Sequence, residues 1–401
     1  MDGRQMRGMK LADIGGIAET EKGWVVPSQF GNGAYLVQKK DEGYVCSCPD
    51  CQMRGVKCKH QWAVTYKIER KTDKDGNTTI TKTTKVTYGQ DWKAYTQAQT
   101  NEVELFDKLL SDLVEGVDEP EQKMGRPRLR TKDLLFCSIQ KVYSQLSSRR
   151  ARTLYNHSKD REHIGKAPNY NSINIFLNRE DVTPILHKLL TLTAMPLKGI
   201  EQDFAVDSSG FRTTNFTEYA RYKYKRGTHE WLKAHIMVGV KTNVIASAKV
   251  TDGNASDMPQ FEPLVMDAYN NGFEMREISA DKGYSSRNNH GVAQRFDARA
   301  YIPFRKNATG SSRGCILWWK AFNYFQLHQE EFMEHYHKRS NVESTFMMIK
   351  QKFGDGLKSK KFVSQKNELL CKLIAHNIVV LIHEMFELGI EPEFKNTTNS
   401  T

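Results

Sequence analysis

No apolar run in this 401-residue chain is long and uncharged enough to cross a bilayer; stretches such as KLIAHNIVVLIHEMF carry His and Glu and are too short. An integral membrane protein is not expected. The opening MDGRQMRGMKLADIGG lacks the apolar core of a secretory signal, so the expected compartment is reducing, the cytoplasm. Seven cysteines, an odd number with four of them between 46 and 58, do not form a disulfide framework. Acidic residues are too few to balance the basic ones, leaving a net charge of +12, which favours a polyanionic partner without requiring one. No internal repeat is present, and the length accommodates two or three domains.

What is present changes character along the chain. Residues 22–69 read as short strands, WVVPSQ, AYLVQKK and YVCSC, followed by the helical HQWAVTYKIER, with cysteines at the junction. Residues 70–130 are a threonine-rich hairpin or linker, then the helix EVELFDKLLSDLVEGV and a basic linker. Residues 131–199 are helical, with DLLFCSIQKVYSQL and VTPILHKLLTLTA clearest; SSRRARTLYNH and YNSINIFLNR between them suggest a DNA-binding region, with a spacing too loose for a defined helix-turn-helix. From 200 to 388 the order is three strands, helix, strand, helix, strand, helix, and 389–401 form a polar tail. That order predicts an α/β fold, a mixed sheet flanked by helices in the ribonuclease-H-like arrangement.

The segment YHKRSNVESTFMMIK places Tyr336, Arg339, Glu343 and Lys350 at separations of three, four and seven. On one continuous helix they share a polar strip beside the apolar Val342, Phe346, Ile349 and Phe353. A capping box from Ser340 to Glu343 is the simpler alternative. Asp207, at the end of the strand in DFAVDSSG, and Asp281, at the end of MREISAD, would emerge from one sheet edge if their strands are neighbours, with Glu343 on a helix across them. Three gathered carboxylates require a cation, and hard oxygen ligands select Mg²⁺ or Mn²⁺. Two such ions support phosphodiester chemistry, with Arg339 and Lys350 on phosphates and Tyr336 nearby. Each aspartate alone would pass for a turn residue. Asp203 and Asp252 are weaker rivals, one at a strand start and the other in the turn-like TDGNASD.

AVDSSG, ISADKGYSS and Y-x2-R-x3-E-x6-K resemble the three motifs of DDE transposases of the insertion-sequence-four superfamily. Tyr336, Arg339, Glu343 and Lys350 match the last motif throughout. The resemblance spans about 200–385 and implies that Asp207, Asp281 and Glu343 are catalytic metal ligands. It implies Mg²⁺-dependent hydrolysis at transposon ends, attack of the freed 3′-hydroxyl on target DNA, and a homodimer on double-stranded DNA. Only 62 positions separate Asp281 from Glu343, which leaves little room for the β-rich insertion some members carry.

In CSCPDCQMRGVKCKH, Cys46, Cys48, Cys58 and His60 offer three thiolates and an imidazole, a donor set for a closed tetrahedral Zn²⁺ site in a unit too small for its own core. The C-x-C…C-x-H spacing resembles the SWIM-type zinc finger. Cys51 is a spare thiol or an alternative ligand, and redox or incidental cysteines are the other reading. GRPRLR, with Arg126, Arg128 and Arg130, resembles an AT-hook, or is a solvated basic linker. ARYKYKRGTHEW interleaves Arg221, Lys223, Lys225 and Arg226 with tyrosines and would track a DNA backbone or protect an edge strand. The functional expectation is a DNA transposase. A metal-dependent nuclease without strand transfer and a catalytically silent, transposase-derived DNA-binding adaptor are the alternatives.

Overall fold

The computed structural model describes residues 91–394 apart from 122–123, 126, 214–230 and 312. Before these it describes residues 4, 7–8, 11–12, 17–20, 22–28, 34–40, 43–54, 57–72 and 78–82. The chain divides into two compact units, Met1–Gln90 and Asp91–Thr401.

In the first unit, β1 (Ala18–Thr20), β2 (Gly23–Pro27), β3 (Ala34–Lys40) and β4 (Gly43–Cys46) form an antiparallel sheet in that order. Two short helices follow, α1 (Pro49–Arg54) and α2 (Lys59–Lys67), then the hairpin β5 (Ile68–Thr72) and β6 (Thr78–Lys82). The core is small: Val26, Val37, Ala63 and Val64 are fully buried, beside Leu11, Ile17 and three of the cysteines. At about 1.5–3 kcal/mol for each large apolar side chain, so few residues do not offset the entropy of ordering the unit.

The second unit has one apolar core, extending from Ala98 to Phe394. Its first helix, α3 (Trp92–Glu115), is capped by Asp91, whose side chain accepts from the amides of Lys93 and Ala94, both at 3.0 Å. Four helices follow: α4 (Thr131–Tyr143), α5 (Ala151–Asp160), α6 (Tyr170–Leu177) and α7 (Val182–Ala194). The nine residues 161–169 between α5 and α6 exceed the tight turn of a helix-turn-helix.

The sheet order is β11-β10-β7-β8-β9. Strands β7 (Asp203–Arg212), β8 (Trp231–Gly239) and β9 (Ile245–Asp252) make an antiparallel meander. After α8 (Phe261–Asn270), β10 (Glu277–Ala280) pairs parallel with β7, and after α9 (Arg287–Arg295), β11 (Arg299–Tyr301) pairs parallel with β10. This is the mixed sheet and element order that the sequence predicts. Strand β7 runs five residues beyond Asp207, because β8 continues to pair with Ser208 through Arg212. Gly239 is required at the end of β8: a Cβ there would lie 2.3 Å from Glu201, whose buried carboxylate accepts from Thr242 Oγ1 at 2.7 Å.

The C-terminal part holds α10 (Ile316–Leu327), α11 (Gln329–Tyr336), α12 (Ser340–Phe353) and α13 (Phe362–Glu387). A 3₁₀ turn, His337–Arg339, separates α11 from α12, so the continuous helix expected from Tyr336 to Lys350 is broken. Its cause is an anchor from another element: Lys338 Nζ binds Asp203 at 2.7 Å and Glu277 at 2.5 Å on the sheet. Helix α13 also differs from expectation. At 26 residues it is long and apolar enough to cross a membrane, but 83% of its apolar window is buried within the protein. It is the central core helix, and Asn377 ties it to β9 through Ile245 N and O, both at 2.9 Å. Phe394, in the segment expected to be a polar tail, is buried in the same core.

Candidate active site and zinc centre

Register decides which side chains meet at the sheet edge. Val206 pairs with Ala280, so the next residues along the two parallel strands, Asp207 and Asp281, stand side by side, Asp281 just past the end of β10 and Asp207 still within β7. Asp281 turns into a 3₁₀ segment and caps it, accepting from Lys282 N at 2.7 Å. Asp207 accepts from Ser208 N at 2.8 Å.

Glu343, in the first turn of α12, completes the set through Arg339, whose guanidinium bonds to both Asp207 and Glu343. Tyr336 Oη accepts from Arg339 Nε at 3.1 Å and fixes the plane of that guanidinium. The capping box is therefore absent: Glu343 faces Arg339, and Ser340 Oγ donates to His337 O. Burial raises the Asp207 pKa, Arg339 opposes this, and the charges of Asp281 and Glu343 raise it further, so the three carboxylates share one field. Lys350 Nζ donates to Ser209 Oγ at 2.7 Å. Asp207, Ser208, Ser209, Glu343, Met347 and Lys350 line an open groove of about 490 Å³.

The carboxylates are a hard-oxygen donor set suited to Mg²⁺ or Mn²⁺, and Arg339 is the cation that neutralises two of them here. They are not drawn together as closely as the thiols and imidazole of the first unit, the one set among the described residues with all ligand atoms within 4.8 Å. There Cys46 closes β4, Cys48 lies in the turn after it, Cys58 precedes α2 and His60 is in the first turn of α2. His60 Nδ1 lies 3.8 Å from Cys46 Sγ and 3.9 Å from Cys58 Sγ, close to the edge lengths of a tetrahedron with zinc bonds of about 2.0–2.3 Å. The hydrogen bond between the Cys46 and Cys58 thiols lowers the Cys58 pKa and raises that of Cys46, so the two share one proton-bearing contact. Cys51 is on α1, half-buried and outside this set.

Residues 198–378 match the family described as Transposase DDE domain, and residues 35–69 match the SWIM zinc finger. The chain carries a transposase DDE domain. Among solved structures, it is similar to a piggyBac transposase synaptic complex with hairpin DNA, at 10% identity and a TM-score of 0.35, over 75% of this chain and 76% of that one. So loose a likeness bears on no individual residue. The transposase-domain match covers Asp207, Asp281, Glu343 and all of the Tyr336–Lys350 motif, and the finger match covers Cys46, Cys48, Cys58 and His60.

The remaining sequence candidates fall elsewhere. Asp203 is held by Arg276 Nη2 at 2.8 Å and by Lys338, as part of the anchor beneath the 3₁₀ turn. Asp252 accepts from Asn254 N at 2.8 Å in an exposed turn. Arg128 and Arg130 line a recess beside α6. Arg126, Arg221, Lys223, Lys225 and Arg226 lie outside the described residues.

Sequence reasoning missed Asp257, five residues after Asp252. It accepts from Ser208 Oγ at 2.8 Å and from Lys233 Nζ at 2.6 Å, on the residue next to Asp207. His235, wholly buried with its pKa lowered to about 4 by burial, lies 3.5 Å away. The available signal was an aspartate immediately before MPQ, at the start of a helical turn. Asp257→Ala leaves the largely buried Lys233 ammonium without its carboxylate and is expected to lower stability by about 1–3 kcal/mol. Chemical denaturation checks this; an unchanged midpoint would show that the pair is not stabilising.

Proposed function

We propose that the protein binds transposon ends, cleaves them in a metal-dependent reaction at Asp207, Asp281 and Glu343, and transfers the freed 3′ ends to target DNA. The observation that carries this is the Val206–Ala280 register, which sets Asp207 beside Asp281, while Arg339 holds Asp207 and Glu343. The three carboxylates would hold the Mg²⁺ or Mn²⁺ ions, which in a two-metal site activate an attacking oxygen and stabilise a leaving one.

The chain's own groups do the rest. Tyr336 and the Lys338 anchor keep Arg339 aimed at the groove, where its planar donors suit a phosphate as well as a carboxylate. Lys350 reaches the same groove and offers a second cation along the DNA backbone. Zn²⁺ at Cys46, Cys48, Cys58 and His60 holds the first unit folded. Two ends must be paired for transposition, which calls for a homodimer on DNA, and the work is done in the cytoplasm.

The test is incubation of the purified protein with Mg²⁺ and a plasmid carrying the DNA that flanks its gene, followed by sequencing of products. Ends joined at new positions, absent with Asp281→Asn, are the expected result. Cuts without joining favour the nuclease, and DNA binding without any metal-dependent product favours the adaptor.

A further inference from the structure

Helix α6 (Tyr170–Leu177) is short, and one face of it is unusual for a solvent-exposed helix. Asn174, Ile175 and, just past its end, Asn178 lie three, four and seven residues after Asn171; Asn171, Asn174 and Ile175 are exposed and Asn178 is half-buried. Ile175 is 62% exposed. No charged residue interrupts this face, whereas solvated helix faces are ordinarily built from Lys, Glu and Arg. Asparagine is also a poor helix former, because its amide competes for backbone hydrogen bonds. Internal structure accounts for little of that cost. Asn174 Oδ1 accepts from Ser148 Oγ at 2.9 Å; Asn171 donates its backbone N–H to Asn169 Oδ1 at 2.9 Å, and its side-chain amide makes no hydrogen bond among the described residues.

The charges lie to either side. Ile175 shares a recess with Arg128, Arg130 and Arg179, and on the other flank Arg149 lies over the Tyr170 ring at 5.8 Å. Uncharged amides and one aliphatic side chain in the middle, with guanidiniums on both margins, is the distribution that a B-DNA major groove requires. Its floor presents hydrogen-bonding base edges and thymine methyls, and its rims present phosphates.

The opposite face of α6 is fixed. Ile173, Phe176 and Leu177 are buried, and Asn367 on α13 donates its amide to Leu177 O at 2.9 Å and Arg179 O at 3.1 Å, closing the end of the helix. An exposed helix held this firmly loses little entropy on docking.

From the α6 surface we infer that it is a sequence reader that enters the major groove of double-stranded DNA, with Asn171 bidentate on an adenine, Asn174 donating to an adjacent base and Ile175 against a thymine methyl. Arg128, Arg130 and Arg149 contact the flanking phosphates. The inference deepens the transposase reading by naming the contacts that would recognise a transposon end, and it rests on that reading only for the identity of the DNA.

The experiment selects binding sites for the full-length protein from random duplexes, without divalent metal beyond zinc. Binding of the enriched duplex and a scrambled duplex is then measured by fluorescence anisotropy at fixed salt. The wild type is expected to enrich a short motif containing A·T pairs. Asn171→Ala with Asn174→Ala should reduce the preference for that motif about tenfold or more and leave scrambled-duplex affinity unchanged. Arg149→Ala should weaken both duplexes alike and flatten the salt dependence. Failure to enrich any motif, or a preference undiminished in the double asparagine variant, overturns the inference. The readout needs no cleavage. Selection that depends on Asn171 without any cutting would leave the reader standing and sink the transposase mechanism, and end-specific cutting with unaltered selection would do the reverse.

Discussion

Glu343→Gln is expected to slow metal-dependent DNA cleavage by about 10³-fold or more, equivalent to about 4 kcal/mol of barrier, with no change in folding. The side chain is 57% exposed and makes no packing contribution that the isosteric amide would lose. Its one partner among the described residues, Arg339, keeps its bond to Asp207. What the amide removes is the negative charge, and with it a hard ligand for the divalent ion. Nicking of supercoiled plasmid in Mg²⁺ and in Mn²⁺, beside a thermal melt, measures both halves of the claim. Cleavage within threefold of wild type would remove Glu343 from the ligand set and the α12 face from the mechanism.

The second large effect is in the first unit. Cys58→Ser should abolish zinc binding and unfold residues 1–90 while the second unit melts as before. Structural zinc contributes about 10–16 kcal/mol of apparent binding free energy in small modules, far more than the few buried residues around Val26 and Val37 supply. Cys58 is fully buried and lies beside both Cys46 and His60, so a hydroxyl in its place leaves an incomplete tetrahedron. Zinc stoichiometry by elemental analysis should fall from one per chain to none. Near-ultraviolet circular dichroism should lose the signal of Trp24, which packs edge-on against Tyr44 at 5.6 Å. Cys51→Ser should retain zinc; loss of the metal there would show that the ligand set has been misassigned.

The core's strand and helix order was legible because each segment has a clear period and the turns between are polar. Asp207 and Asp281 stood out as carboxylates at the close of apolar runs. The structure adds that β7 continues through Ser208, Ser209 and Gly210, residues with weak strand preference that are kept in the sheet by pairing with β8. The break between α11 and α12 left no trace in the sequence, since HKRS contains neither proline nor glycine; the anchor of Lys338 on Asp203 and Glu277 imposes it from 61 or more positions away. Asp257 was hidden for a similar reason. Its partners, Ser208 and Lys233, are 49 and 24 positions distant, and local spacing cannot report a contact that the fold creates. The clustering of Cys46, Cys48, Cys58 and His60 was legible because a metal-binding motif restricts spacing directly.

Helix α13 holds the end of α6 through Asn367 and the sheet through Asn377, ten residues or about 15 Å apart along the helix. It therefore serves as a ruler. If α6 reads bases and the carboxylates cut, the separation between the two would be set by a single rigid helix, and the DNA ends would have to keep that spacing: one base pair inserted between recognition sequence and terminus would shift the scissile bond by about 3.4 Å and rotate it out of the groove.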